Sequence, residues 1–322
     1  MLTGATGFIG SHIAERLLRA NFRVHLWIRR TNRYIAWSEA AGAKIYAAGA
    51  GGRASLRESL QGADTVIHCA GATKAINMKY YFEANVALTQ QILSLIHAPQ
   101  RFVFVSSLAA AGPSGIDTPL DEHCAPRPIS RYGMSKLLSE RCAEEWGSAN
   151  DNNFVILRPC VVYGPREKDL YNYFKWVKRG LFPLVNHGRG RISVIHVDDL
   201  VNAVLAAAER SPGGETYFVS NDHGASLLDL GHAIQAALSK SHMTKLELPA
   251  CLLDAVAGVL DGAAGITGKP ALLSREKVLE MKQPAWLCSN GKIRQKVGWE
   301  PIISLEDGIK DTVDWYRRER WL

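Results

Sequence analysis

Apolar positions in the first half of the chain alternate between two rhythms. In residues 11–20, Ile13, Leu17 and Leu18 share one face at the helical period, and residues 82–98 and 131–147 repeat that amphipathic spacing. Between them stand short, nearly unbroken apolar runs: RVHLWI at 23–28, TVIH at 65–68, RFVFVSS at 101–107 and FVILR at 154–158. Such runs suit strands covered by helices on both faces. Strand and helix in steady alternation predict right-handed crossovers and a doubly wound parallel sheet, an α/β Rossmann fold.

Beyond Arg158 the alternation loosens at Pro159, Gly164 and Pro165. SVIHV at 193–197 and TYFVS at 216–220 are expected to return to the sheet. Residues 227–239 and the stretches after Leu248 predict a smaller, mostly helical part. The expected division is residues 1–165 with about 193–221 in the cofactor-binding domain, and about 166–192 with 222–322 in a substrate-capping part. A cleft between the two is the expected substrate site.

Composition narrows the class. The chain has 322 residues, 47% hydrophobic and 21% charged, as expected of a globular enzyme. A net charge of +7 raises the question of nucleic acid. The densest basic groups, Arg29, Arg30 and Arg33, and Arg317, Arg318 and Arg320, lack the interleaved aromatics of a nucleic-acid module, so none is expected as a partner. Six cysteines stand far apart without a CxxC pair, so neither a zinc site nor a disulfide framework is expected, and the cytoplasm is the expected compartment. The most apolar stretch, 248–268, is broken by Asp254 and Asp261. It reads as a buried or capping helix, with a membrane-surface helix as the alternative, and no membrane span is expected. No signal peptide is expected either, since the glycine-rich segment follows Met1, Leu2 and Thr3 directly. So short a lead-in to a central strand would be explained by a native start upstream of Met1.

The candidate chemistry begins in that segment. TGATGFIG, with Gly4, Thr6, Gly7, Phe8, Ile9 and Gly10, lies between a strand-like start and an amphipathic helix. Glycines there allow a tight turn and close backbone approach to a pyrophosphate, which the helix N-terminus would hold. The next strand ends in Arg29 and Arg30, where NAD enzymes usually carry a ribose-binding carboxylate. Arginine matches a 2′-phosphate, so NADP(H) is the expected cofactor and NAD(H) the alternative; Arg33 is expected to assist. Tyr132 and Lys136 stand four residues apart on one face of a predicted helix. A nearby ammonium is expected to lower the tyrosine's pKa and fit it for proton exchange beside a nicotinamide. Ser106 and Ser107 end an apolar strand, where a parallel sheet presents groups to a ligand.

TGATGFIG, HCAGATK, VSSLAAAG, YGMSK, LRPCVVYGP, IHVDDL and the closing VGWEPIISLEDGIKDTVDWYR together resemble the extended short-chain dehydrogenase/reductase superfamily, the NAD-dependent epimerase/dehydratase group. The resemblance spans essentially the whole chain. It implies a triad of Ser107, Tyr132 as acid/base, and Lys136 as ribose ligand. It also places Ala70 and Gly71 along the cofactor, Pro159 and Val162 near the nicotinamide, and Asn85 in a structural role. Arg29 falls where the dihydroflavonol-reductase-like branch has an NADP-binding arginine. The family's Gly-Asp after the third strand is replaced by Gly49-Ala50-Gly51, which puts the adenine contact in doubt.

Three reactions compete. Dehydratases follow the triad Ser/Thr with Asp-Glu; here Leu108 and Ala109 follow, and neither moves a proton. Nucleotide-sugar 4-epimerases commonly have a tyrosine where Ala111 stands, and a diphosphate-binding arginine for which Arg191 is one residue out of frame. The small apolar 108–111 segment and Arg29 favour a reductase or dehydrogenase of ketones and secondary alcohols, like the dihydroflavonol-reductase and 3β-hydroxysteroid-dehydrogenase branches. A UDP-sugar 4-epimerase is the first alternative and a non-catalytic cofactor-binding regulator the second. A small-molecule substrate is expected, no membrane partner, and a homodimer through residues 82–98 and 131–147 by analogy with relatives.

Overall fold

In the computed structural model, residues 1–49, 52–184, 188, 190–271 and 273–322 are described. The strands in chain order are β1 (Leu2–Thr3), β2 (His25–Ile28), β3 (Lys44–Ala47), β4 (Thr65–His68), β5 (Arg101–Val105), β6 (Phe154–Pro159), β7 (Val161–Tyr163) and β8 (Leu181–Leu184). They continue with β9 (Arg191–Ile192), β10 (Val194–His196), β11 (Glu215–Val219), β12 (Ala225–Ser226), β13 (Thr244–Glu247) and β14 (Ala285–Trp286).

Seven strands form one parallel sheet in the order β11-β6-β5-β4-β1-β2-β3. The order reverses between β1 and β4, the crevice where open α/β sheets bind ligands. The strands are apolar on both faces because both are covered. On one side Ile13 and Leu18 of the Phe8–Arg19 helix and Leu200 and Val204 of the Val197–Arg210 helix pack on Leu26, Val103 and Val155. On the other, Leu56, Ile92 and Ala143 from three further helices close over Phe102, Phe104 and Ile156.

The two segments expected to rejoin the sheet part ways. TYFVS does return to it, as β11 beside β6. SVIHV does not: β10 pairs in parallel with β7 in a separate two-stranded sheet. β6 ends at Pro159, which lacks an N–H, and the chain leaves the main sheet there, taking β7 and its partner with it.

The second core gathers Tyr163, Phe174, Phe182, Ile234, Ile309 and Tyr316. It is built mainly from the capping segments, joined by Tyr163 of β7 and Val194 of β10. Residues Ala250–Thr267 form a helix as expected, but not a buried one: only 17% of it is buried, and by length and composition it is apolar enough to cross a membrane. Leu253 and Ala257 alone join a small cluster with Val278, so one narrow stripe carries its packing.

Candidate active site

The glycine segment is shaped as the sequence required. Gly4 has φ +79°, and a Cβ there would lie 2.7 Å from the backbone of Cys69 and Ala70. At Gly10 a Cβ would meet the Gly4 carbonyl oxygen at 2.2 Å. The Phe8–Arg19 helix can therefore start against the end of β1 only with hydrogen at both positions. Its N-cap, Gly7, offers no side-chain acceptor, and its first turn has no acid. Free N–H groups and the positive dipole end thus face the switch point, as a pyrophosphate requires. Phe8 and Ile9 open this helix, and Thr6 receives the Asn32 amide on its carbonyl oxygen at 3.0 Å. Ala70 donates its N–H to Thr3 Oγ1 at 3.2 Å, which holds the end of β4 beside Gly4. These residues fit a dinucleotide.

Arg29 and Arg30 follow β2, are exposed, and among the described residues make no ion pair or side-chain hydrogen bond. Arg33 does not join them. Its guanidinium pairs with Glu319 at 2.6 Å and lies 4.9 Å from the Tyr34 ring, because the C-terminal helix ends beside it. Of Gly49-Ala50-Gly51, the last two lie outside the described residues.

Ser107 follows β5 closely and caps the turn Leu108–Ala110, accepting from the Ala109 N–H at 3.2 Å. Tyr132, on the first turn of the Arg131–Ser148 helix, neighbours Ser107, whose hydroxyl favours the phenolate. Gly133 permits the contact: a Cβ there would stand 2.2 Å from the Ala109 carbonyl oxygen. The glycine inside YGMSK lets this helix seat directly on the serine turn. Burial pushes the Tyr132 phenol up to about 12, against the lowering by Ser107.

Lys136 departs from expectation. Its ammonium donates to the Val105 carbonyl at 2.7 Å and lies 4.2 Å from the Phe104 ring centroid, while the Tyr132 pKa is raised by burial rather than lowered. Burial instead brings Lys136 itself down to about 8. The same ammonium borders Gly71, where a Cβ would stand 3.9 Å from it.

Other residues hold the frame. Asn85 is buried, accepts from Ala72 N–H at 2.7 Å and donates to Ser135 Oγ at 2.8 Å, tying the Ala70–Gly71 loop to the tyrosine helix. That is the structural role expected for it. A buried group not singled out in the sequence lies behind the triad: Arg158 bonds Glu140 at 3.0 and 2.6 Å, and Ser106 donates to the same carboxylate. Glu140 stands one helical turn past Lys136, a signal the sequence did contain. Pro159 closes β6 and Val162 is half-buried in β7.

Beside the serine turn the chain is stitched to the capping part: Ser114 pairs with Ala285 and Leu120 with Cys288. A cavity of about 230 Å³ lies there, lined by Asp117, Arg191, Asp222, His223 and Leu287. Arg191, one residue out of frame in the sequence, reaches it, 4.0 Å from Asp117. No group of three or more metal-ligating side chains occurs among the described residues.

Residues 1–220 match the model of the NAD dependent epimerase/dehydratase family. A ceramide reductase of Caulobacter vibrioides is 27% identical over 100% of this chain and 95% of that protein. A 2-alkyl-3-oxoalkanoate reductase of Shewanella oneidensis is 26% identical over 96% of this chain and 84% of its own length. Among solved structures, the UDP-glucuronic acid 4-epimerase of Bacillus cereus, in complex with UDP-glucuronic acid and NAD, superposes with a TM-score of 0.78 at 22% identity, covering 99% of this chain and 98% of that one.

Proposed function

We propose that this chain, which belongs to the NAD-dependent epimerase/dehydratase family, is an NADP(H)-dependent reductase of ketones, or in reverse a dehydrogenase of secondary alcohols, using Ser107, Tyr132 and Lys136. The observation that carries the reading is the juxtaposition of Ser107 and Tyr132 beside a turn, Leu108–Ala110, with no other group able to move a proton.

The nicotinamide supplies the hydride. Tyr132, a neutral phenol throughout the physiological range, gives its proton to the carbonyl oxygen that becomes the alcohol. Ser107 holds that oxygen by a second hydrogen bond. Lys136, beside Gly71, grips the ribose hydroxyls. Arg29, with Arg30, meets the 2′-phosphate, and the exposed, unpaired state of both supports the NADP preference. Relatives named as a ceramide reductase and a 2-alkyl-3-oxoalkanoate reductase are consistent with a carbonyl substrate on an apolar body.

A second reading, a UDP-sugar 4-epimerase, is favoured by one observation: Arg191 lines the cavity, where it would meet a diphosphate. A turnover screen separates the two. NADPH consumption is followed with flavonoid-like ketones and sterol ketones, and sugar interconversion with UDP-sugars. Net NADPH oxidation by a ketone supports the reductase; interconversion of UDP-sugars without net oxidation replaces it with the epimerase. In either case Tyr132→Phe is expected to lower kcat at least about 100-fold while NADPH binding persists. Undiminished turnover would remove Tyr132 from the mechanism.

A further inference from the structure

The Ala250–Thr267 helix presents its apolar side outward. Exposure reaches 73% at Val259 and 90% at Ile266, and Leu252 and Val256 are also exposed. At 3.6 residues per turn, Leu252, Ala255, Val256, Val259, Ala263 and Ile266 form one uncharged stripe. Both carboxylates of the helix fall on the opposite side and are engaged: Asp254 with Lys282, and Asp261 with the Arg275 N–H at 2.9 Å. Its apolar side therefore carries no charge that would oppose burial in hydrocarbon.

The surroundings are mainly basic, with Glu247 the acid of the neighbouring ribbon. Before this helix, β13 pairs in parallel with β8, and Leu246 and Leu181 on this ribbon are exposed, as is Trp176 in the helix preceding it. Lys178, Arg179 and Lys240 flank the start of this ribbon, Lys245 lies on β13, and Lys269 follows the helix end. All five are exposed, and among the described residues none forms an ion pair. Exposed aliphatics, a tryptophan and unpaired cations around an uncharged helical stripe match the headgroup region of an anionic bilayer.

We propose that this face docks on an anionic lipid membrane, with the Ala250–Thr267 helix lying in the interface. Crossing the bilayer is disfavoured, because both ends are tied to the same body. Leu248 N–H bonds the Leu184 carbonyl at 2.8 Å on entry, and on return Glu276 of the next helix accepts from the Arg131 guanidinium at 2.6 Å. A second copy of the chain is the poorer occupant. An isologous contact would bring the same unpaired cations against each other.

Vesicle sedimentation of the full chain tests this. The wild-type chain is expected to sediment with phosphatidylglycerol–phosphatidylcholine vesicles, less with phosphatidylcholine alone, and less again at high salt. Lys178→Glu/Arg179→Glu/Lys245→Glu should weaken binding by about five-fold or more per cation. Val259→Glu/Ile266→Glu should abolish it, with the melting temperature unchanged because both side chains are exposed. Wild-type protein that stays in the supernatant with phosphatidylglycerol vesicles overturns the proposal. So does wild-type binding by both variants, or a dimer in light scattering that Val259→Glu/Ile266→Glu disperses while no vesicle binding occurs. None of these readouts depends on turnover, so failure of the reductase reading leaves them intact.

Discussion

At the scale of single residues, the proposed cofactor choice and the proposed proton transfer can be tested apart. Arg29 is exposed after the end of β2, without an ion pair among the described residues. Its loss should weaken NADPH binding about 10- to 100-fold, the worth of a charge-assisted pair, and leave NADH nearly unaffected. Fluorescence titration of Arg29→Ala with both cofactors gives the ratio; equal weakening moves the phosphate contact elsewhere. The shape of the glycine turn and the nearness of Ser107 to Tyr132 were legible because each lies in or next to a local motif. The partner of Lys136 was not. Spacing places it on the same helical face as Tyr132, but the carbonyl of Val105 comes from β5, and only the folded sheet brings that oxygen within 2.7 Å. Arg33 misled for the same reason, since Glu319 lies near the far end of the chain.

Elements were legible in kind and less so at their ends. The first helix begins at Phe8 rather than near residue 11, because the glycine turn already has a helical exit. The helix expected at 82–98 begins at Met78 and passes through a wider π-turn, Phe82–Ala87, which positions Asn85; side-chain periodicity gives no sign of it. Where elements meet, His68 is decisive. Fully buried in β4, it bonds Thr3 of β1 at 2.7 Å and Thr89 of the Leu88–Leu93 helix at 3.1 Å. Burial, then the Lys136 charge, holds its pKa down to about 3, so the folded state resists the proton that the unfolded chain accepts below about 6.5. The unfolded state then binds more protons, and stability falls as pH falls from 6.5 toward 3. The contribution has a slope of up to about 1.4 kcal/mol per pH unit. Urea unfolding at pH 7 and pH 5 should show a smaller acid loss for His68→Gln than for the native chain; equal losses would mean that His68 titrates normally.

For the whole molecule, the parallel sheet followed from alternation, but the capping part did not, because its strands are short and pair across long sequence distances. β9 joins β12 and β14, from segments with no common pattern. The exposure of the Ala250–Thr267 helix was hidden too: apolar composition alone does not say whether protein or something else covers it. The second core closes on the chain's last residues. Trp321 stacks on Tyr316 with centroids 5.4 Å apart and meets Tyr171 and Trp315 edge-on. Trp321→Ala should cost about 2 kcal/mol of stability in denaturant unfolding, below the range for a fully buried aromatic because this ring is partly exposed. No loss would mean that the cluster is held by Tyr316 alone.

The two bridges from Ser114 to Ala285 and from Leu120 to Cys288 give the serine turn and the capping part a common seam. On the proposed reading, specificity and chemistry are therefore not interchangeable cassettes in this chain. A capping segment transplanted from a relative arrives without its half of the seam unless residues 114–120 travel with it. Divergence toward new substrates has to edit both sides of that join together.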